Sequence, residues 1–174
     1  MSDKILVTYT SKYGSTKKYA EWIALELNAD LIEASKVKPQ MLCDYDTVIY
    51  GGGLYAGGIA GVKLVAHNPC KRLIVFTVGL ADPDITDYRA IVSKNFSKDV
   101  LAKTKIFHLR GGIDYRKLGP LHRGMMAMMK GMIQKKPQEE RNAEDQEFLK
   151  TYNRKVNFEE KQTIDSLVAY AVDL

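Results

Sequence analysis

The feature that most constrains this chain is the segment KILVTYTSKYGST at residues 4–16, where a short apolar run meets a loop rich in hydroxyl groups. The run at residues 5–7 is too short for a helix, and such runs bounded by turn residues are typical of buried strands in parallel sheets. After the loop, apolar residues recur at helical spacing, at Ala20, Ile23, Ala24 and Leu27. The segment therefore predicts a buried strand, a loop and the N-terminus of a helix.

The loop between this strand and this helix has the composition of a phosphate-binding site. Four of the seven residues at positions 10–16 are serine or threonine, and Gly14 permits a turn that a side chain would obstruct. Unpaired N–H groups and the positive end of the helix dipole point at the same place. An ordinary turn with hydroxyl caps is the alternative, but the density of hydroxyls favours phosphate. The predicted contacts are Thr10, Ser11, Lys12, Tyr13, Gly14, Ser15 and Thr16.

The same loop does not match the nucleotide-binding motif G-x-x-x-x-G-K-[ST]. It resembles the phosphate-binding loop of flavodoxins, whose pattern is roughly [ST]-x-[ST]-x-x-G-x-[ST], because Ser11, Gly14 and Thr16 hold matching positions. The resemblance implies that the ligand is FMN, whose phosphate the loop would hold, and that the fold is flavodoxin-like.

Four further short strands are predicted, separated by helical patterns, at residues 30–33, 47–50, 73–78 and 105–109. Strands that alternate with helices imply right-handed crossovers and a doubly wound parallel sheet of the α/β class. Periodicity gives the alternation but not the order of the strands. The resemblance to flavodoxins implies a five-stranded parallel sheet of order 2-1-3-4-5, with an insertion before the last helix.

Capping residues predict where the helices begin. One helix is predicted at residues 59–67, and the next begins at Asp82, with Pro83 at its first helical position. The last helix is predicted to follow Asn157 and Glu160, which are spaced like a capping pair.

A glycine-rich stretch, GGGLYAGG at residues 51–58, leaves the third strand at the edge where open α/β sheets bind ligands. It satisfies G-x-G-x-x-[GA], but no acidic residue lies between Ile59 and Ala81 to bind a ribose, so NAD is rejected. Glycines let the backbone approach a flat ring, and Tyr55 could stack on that ring. A flexible surface loop with an exposed tyrosine is the alternative. The predicted flavin contacts are Gly52, Gly53, Leu54, Tyr55, Ala56 and Gly57.

Two further stretches are expected at the flavin because of the resemblance. The turn after the fourth strand corresponds to the third flavin-contacting loop of flavodoxins, and the glycine pair after the fifth strand would pass the edge of the ring. The turn lacks the aromatic residue that many flavodoxins carry there, so a tyrosine stack on one side of the ring is expected. These contacts are Thr77, Val78, Gly79, Leu80, Gly111 and Gly112.

The bulk composition limits the class of protein. With 174 residues, 45% of them apolar and 27% charged, the chain is predicted to form one domain, residues 1–174, with a full-sized core. The start MSDK indicates no signal peptide, and no apolar run approaches the roughly 20 residues of a membrane span, so a cytoplasmic location is expected. Cys43 and Cys70 form no C-x-x-C motif, and neither a metal site nor a catalytic constellation is predicted.

A basic, methionine-rich insertion is predicted at residues 111–157, in a chain of net charge +5. Its segment 119–136 reads as an amphipathic helix with lysines and arginines around an apolar stripe. A helix covering the sheet edge is the simpler interpretation. The alternative is contact with a partner or with an anionic membrane at its inner face. Charge alone does not indicate nucleic acid, and His122 is expected at the surface. The stripe comprises Leu121, Met125, Met128, Met129, Met132 and Ile133.

Gly-Gly after the fifth strand, followed by a tyrosine-and-arginine stretch and this helix, resembles the quinone-dependent protoporphyrinogen oxidase type of flavodoxin-fold protein. Three hypotheses remain. The first is an FMN-binding redox protein that exchanges electrons with a partner protein. The second is a quinone-linked enzyme whose anionic porphyrinogen substrate would suit Arg116, Lys117 and Arg123; the basic balance favours it over an acidic electron shuttle. The third is a flavin-free interaction module of the same fold.

Overall fold

The computed structural model describes residues 3–173 of the chain, so the termini of the predicted domain lie outside the described residues. Five strands pair in parallel in the order β2-β1-β3-β5-β6, which confirms the predicted order 2-1-3-4-5 of a doubly wound sheet. The strands in chain order are β1 (Ile5–Thr10), β2 (Asp30–Glu33), β3 (Thr47–Tyr55), β4 (Gly58–Ile59), β5 (Leu73–Gly79), β6 (Thr104–Arg110), β7 (Gly112–Asp114) and β8 (Lys155–Asn157).

The three strands outside this parallel set were not predicted. Strand β4 forms an antiparallel hairpin with the end of β3, and β7 and β8 form a separate antiparallel ribbon. The ribbon lies at the two ends of the predicted insertion, 111–157, because β7 follows directly on β6 and β8 ends at Asn157. The residues between β7 and β8 therefore leave the sheet edge and return to it at one place.

Of the seven helices in the described part of the chain, five pack on the two faces of the sheet. One face carries Ile49, Ile74 and Phe76 against the first and last helices, and the other carries Tyr50 and Val75. Successive residues of each strand alternate between the faces, so both faces of the central strands are buried. The helices are α1 (Ser15–Leu27), α2 (Lys63–Ala66), α3 (Arg89–Asn95), α4 (Lys98–Leu101), α5 (Pro120–Lys135), α6 (Ala143–Thr151) and α7 (Asp165–Val172).

The predicted helix at residues 59–67 is wrong over its first half. Only Lys63–Ala66 is helical, because Gly61 has a φ of +68° and cannot belong to a right-handed helix. A side chain at Gly61 would also collide with the hydroxyl groups of Thr10 and Tyr50. This glycine therefore lets the chain pass close to the end of β1.

The predicted helix starts at Asp82 and after Asn157 are also wrong. Asp82 accepts a hydrogen bond from the N–H of Asp84 at 3.0 Å, which makes a local turn, and α3 begins only at Arg89. Asn157 belongs to β8 and accepts from the N–H of Glu159 at 2.9 Å. In both cases a short polar side chain closes a turn on its own backbone, where the sequence pattern predicted a helix cap.

A substitution at Gly51 tests the packing of the sheet, because the missing side chain leaves room for the ring of Phe76. A Cβ atom at Gly51 would overlap the ring of Phe76, which is fully buried. We expect Gly51→Ala to lower the free energy of unfolding by about 1–3 kcal/mol through overpacking. Urea denaturation measures this change.

The matched control is Gly124→Ala, inside helix α5, where an added methyl group meets no atom within 4 Å. It should raise stability by up to about 1 kcal/mol, since alanine is the better helix former. Equal effects of the two substitutions would contradict the packing of Phe76 against Gly51.

Candidate functional site

Four loops meet at the carboxyl edge of the parallel sheet, after β1, β3, β5 and β6. The N–H of Gly111 donates to the carbonyl of Gly79 at 2.7 Å, and the N–H of Gly112 donates to Ser15 Oγ at 3.0 Å. A Cβ atom at Gly79 would lie 3.0 Å from the side chain of Leu54. All the stretches predicted to contact a flavin are thus brought together at one edge, where such sheets bind ligands.

The loop after β1 presents unused hydrogen-bond donors at the start of α1. Among the described residues, the N–H groups of Ser15, Thr16 and Lys17 have no acceptor. Thr16 as a whole residue is 4% exposed, its hydroxyl has no partner in the same part of the chain, and a Cβ atom at Gly53 would lie 3.6 Å from it. The hydroxyl itself remains accessible, so together with the free N–H groups it is suited to an anion at the helix N-terminus.

Other hydroxyl groups of this loop hold its conformation. The N–H of Gly14, whose φ is +103°, donates to Ser11 Oγ at 3.1 Å. Tyr50 donates to the carbonyl of Ala60 at 2.5 Å, so the Thr10 hydroxyl, at 2.9 Å, donates to the phenol oxygen. Burial raises the pKa of Tyr50 to about 12, which keeps this donor protonated. Thr10 and Ser11 are therefore occupied, and Thr16 is free.

Glu159 lies beside the same helix N-terminus and was not predicted. Its carboxylate accepts from Ser15 Oγ at 2.6 Å and pairs with Lys18 at 2.7 Å. Burial opposes the charge of Glu159, but the hydrogen bonds from Lys18 and Ser15 outweigh it and lower the pKa of the carboxyl group. A negative charge at the first turn of α1 is favoured by the helix dipole.

The predicted ring-contacting stretch is a tight hairpin. Strand β3 continues to Tyr55, and the two turn residues, Ala56 and Gly57, have φ values of +49° and +73°. Positive φ at both positions is the two-residue turn that matches the twist of a hairpin. Tyr55 is 44% exposed beside this turn, so one face of a flat ligand could stack on it.

The predicted contacts after β5 are fixed by their neighbours. The hydroxyl of Thr77, which is fully buried, is 2.6 Å from His108 Nδ1, and Tyr88 stacks on that imidazole with ring centroids 3.6 Å apart. Val78 is also buried, and the carbonyl of Leu80 accepts from Arg110 Nε at 3.1 Å. This loop offers backbone rather than side chains to a ligand.

The insertion reaches this edge through helix α5. His122 is 5% exposed, so its expected place at the surface is wrong. It contacts the hydroxyl of Tyr13, lies 3.2 Å from Lys12 Nζ and meets the ring of Tyr55 edge-on at 4.4 Å. In the sequence it is a lone histidine in a basic stretch, and nothing in its spacing indicates these contacts.

The apolar stripe of α5 does not cover the sheet edge. Leu121, Met128 and Met132 are 75%, 64% and 63% exposed, and only His122 and Ile133 of this helix are buried. The simpler interpretation, a helix packed along its stripe, is therefore wrong for most of the stripe. Of its residues, Ile133 is buried and Met125 contacts the hydroxyl of Tyr55, while the others are exposed.

Residues 3–173 contain neither a cluster of metal-binding side chains nor a helix that could span a membrane. No group of three or more histidine, cysteine or acidic side chains is placed to hold a metal ion in this part of the chain. No helix of the described residues is long and apolar enough to cross a bilayer.

The chain is similar to a known domain family and to one curated relative. The family model of the flavodoxin domain matches residues 6–140 of the chain. An uncharacterized protein of Methanocaldococcus jannaschii is 42% identical over 55 residues, which make up 31% of this chain and 37% of that protein. The chain thus matches little more than a third of that relative.

Several solved structures are similar at low identity. Oxidised flavodoxin 2 from Bacillus cereus is 20% identical, with 62% of this chain and 84% of that chain covered and a TM-score of 0.47. A flavodoxin from the domain Archaea is 18% identical, with 62% and 82% covered and a TM-score of 0.46. A flavoprotein in complex with FMN from Lactobacillus acidophilus is 18% identical, with 63% and 93% covered and a TM-score of 0.43.

His108 makes stability depend on pH. Burial lowers its pKa from 6.5 to about 4, so between these values the unfolded chain takes up a proton that the folded chain resists. We expect the free energy of unfolding to fall as the pH drops from about 6.5 to about 4, by roughly 1 kcal/mol because the group is partly solvated. Urea denaturation across this range measures the slope.

Two variants isolate the contribution of His108. His108→Phe keeps a ring for Tyr88 to stack on and cannot titrate, so its stability should depend less on pH. His67→Asn removes an exposed histidine and should keep the parent slope. A parent slope that survives in His108→Phe would contradict the assignment.

Proposed function

This chain belongs to the flavodoxin domain family, and on that premise we propose that it binds FMN at the edge formed by its four loops and transfers electrons through the bound flavin. The observation that carries the proposal is the accessible hydroxyl of Thr16, which has no partner among the described residues and lies beside the free N–H groups of the first turn of α1. An uncharged cluster of donors of this kind is suited to a phosphate group.

The chain's own residues would hold the cofactor in two places. The loop at residues 10–16 would bind the phosphate through backbone N–H groups and Thr16. Tyr55 would stack on one face of the ring, and the backbone at 77–80 and 111–112 would meet its polar edge. The flavin supplies reversible electron transfer when bound, whereas the protein supplies position and electrostatics.

The partner of this redox protein would be another protein or a quinone. The chain carries a net charge of +5, and a positive surface steers negatively charged partners. The basic residues are concentrated near α5, with Arg123 donating to the carbonyl of Arg116 at 2.8 Å. An acidic partner surface would therefore approach from the side of the insertion.

A second candidate function is an enzyme of the quinone-dependent protoporphyrinogen oxidase type. It is favoured by the position of α5. Through His122 this helix contacts the loop after β1 and the hairpin after β3, while it presents methionines to solvent. A cavity of about 240 Å³ is lined by Tyr115, Arg116, Arg123, Tyr152 and Asn153. The guanidinium group of Arg123 could meet a carboxylate of such a substrate there, while that of Arg116 would have to exchange its ion pair with Asp114 for the substrate. The exposed stripe within 119–136 would then contact the inner face of an anionic membrane.

Substitution of Thr16 tests FMN binding. Thr16→Ala removes a hydrogen bond to a charged group, which contributes about 1.5–3 kcal/mol, so FMN affinity should fall roughly ten- to a hundredfold. Titration of flavin fluorescence measures the affinity, and Ser11→Ala combined with Thr16→Ala should weaken it further. Ser93→Ala, which removes an exposed hydroxyl on α3, is the control. Unchanged affinity in the double variant would remove the phosphate assignment, and a chain that binds no FMN would leave only an interaction module.

Substitution of the exposed methionines tests membrane contact. Replacing Met128 and Met132 by glutamate adds two negative charges to the stripe, so sedimentation with anionic vesicles should fall severalfold while FMN affinity stays unchanged. Val172→Glu, at an exposed position on α7, is the control for charge alone. A parent chain that neither sediments with these vesicles nor oxidises a porphyrinogen with a quinone would exclude the second candidate function.

A further inference from the structure

The first half of helix α5 is weakly held by its own packing. It begins after Gly119, which provides no side-chain cap, and it contains Gly124, where an added Cβ atom would meet nothing within 4 Å. Glycine inside a helix costs about 1 kcal/mol relative to alanine. Ile133 is buried near the C-terminal end, which leaves His122 as the buried side chain of the first two turns.

His122 contacts two of the four loops, the one after β1 and the hairpin after β3. Lys12 Nζ can only donate, so it donates to Nε2, and Nδ1 therefore carries the proton and donates to the hydroxyl oxygen of Tyr13. The ring of Tyr55 meets the imidazole edge-on at 4.4 Å, and the hydroxyl of Tyr55 donates to Met125 Sδ at 2.7 Å. Residues 119–125 thus lie across the two tyrosines at which a flavin would be bound.

We propose that residues 119–125 form a lid over the flavin site, which neutral His122 holds shut by its contacts with both loops and which opens when that imidazole is protonated. The proposal rests on the proposed function, because the loops concerned are those assigned to FMN. A ligand that stacks on Tyr55 must displace the imidazole from the gap between Tyr13 and Tyr55. The lid would therefore limit the rate at which the flavin enters and leaves.

The charges around His122 determine the direction of the pH dependence. Lys12 and Tyr13 face it from the loop after β1, and Tyr55 faces it from the end of β3. No carboxylate of the described residues forms a hydrogen bond with it, because its bonds go to Lys12 and Tyr13. Protonation removes the acceptor used by Lys12 and brings two cations within 3.2 Å. Burial and the neighbouring Lys12 lower the pKa of His122, so the lid is shut at neutral pH and opens as the pH falls below about 6.5.

Hydrogen exchange on the flavin-free protein tests the lid directly, at about pH 8 and about pH 5.5, after correction for the intrinsic effect of pH. In the parent, protection of the amides at 123–125, the first that donate hydrogen bonds within α5, should fall at least about tenfold at the lower pH. His122→Ala should leave them unprotected at both values. His122→Gln can accept from Lys12 and donate to Tyr13 without titrating, so it should protect them at both.

Met132→Ala changes an exposed residue of the same helix and should behave as the parent. Amides of β3 and β5 should stay protected in every variant, which shows that each is folded. Lid amides that are equally protected at both pH values in the parent, or as protected in His122→Ala as in the parent, would overturn the proposal.

The kinetics of FMN binding provide the second readout. Stopped-flow fluorescence should give faster association and faster dissociation for His122→Ala than for His122→Gln, and an association rate in the parent that rises as the pH falls. Rates that are the same in both variants would overturn the role of the lid in flavin entry. A chain that binds no FMN in any variant would remove the proposed function, while hydrogen exchange would still decide whether the lid exists.

Discussion

The hydroxyl group of Ser15 joins three parts of the chain that are far apart in sequence. It accepts a hydrogen bond from the N–H of Gly112 and donates one to Glu159. Gly112 begins β7, which pairs with β8 just before Glu159, so the ribbon that bounds the insertion is fastened to the N-terminus of α1. This side chain therefore helps to fix both ends of the ribbon from which α5 departs, together with the hydrogen bond from Gly111 to the carbonyl of Gly79.

The sheet could be predicted from the sequence because its signal is local. The apolar runs, the alternation with helices and the resemblance of the loop at 10–16 gave the strands, their order and the edge at which four loops meet. The helix starts at residues 59 and 82 could not be predicted. At the first, the contact of Gly61 with Tyr50 and Thr10 overrides the local pattern. At the second, the side chain of Asp82 closes a turn on its own backbone.

The contacts of two residues of the candidate site, His122 and Glu159, could not be predicted from the sequence, for one physical reason. Their partners, Tyr13 and Ser15, are 109 and 144 positions away, and no periodicity extends over such separations. The apolar stripe of α5 was clear in the sequence, but the packing predicted from it was wrong for most of its residues. Helical spacing of methionines predicts a face but not what covers it, and in this chain Met128 and Met132 are exposed whereas His122 and Ile133 pack inward.

Tyr50 has a consequence for ligand selection that follows from its two hydrogen bonds. Its hydroxyl group ties the end of β1, through Thr10, to the carbonyl of Ala60, just beyond the hairpin that carries Tyr55. This buried phenol thus adds to the pairing of β1 with β3 in holding the turn at residues 10–16 at a fixed distance from Tyr55 before any ligand arrives. A ligand that reached both places would need a spacer of matching length between its charged group and its ring.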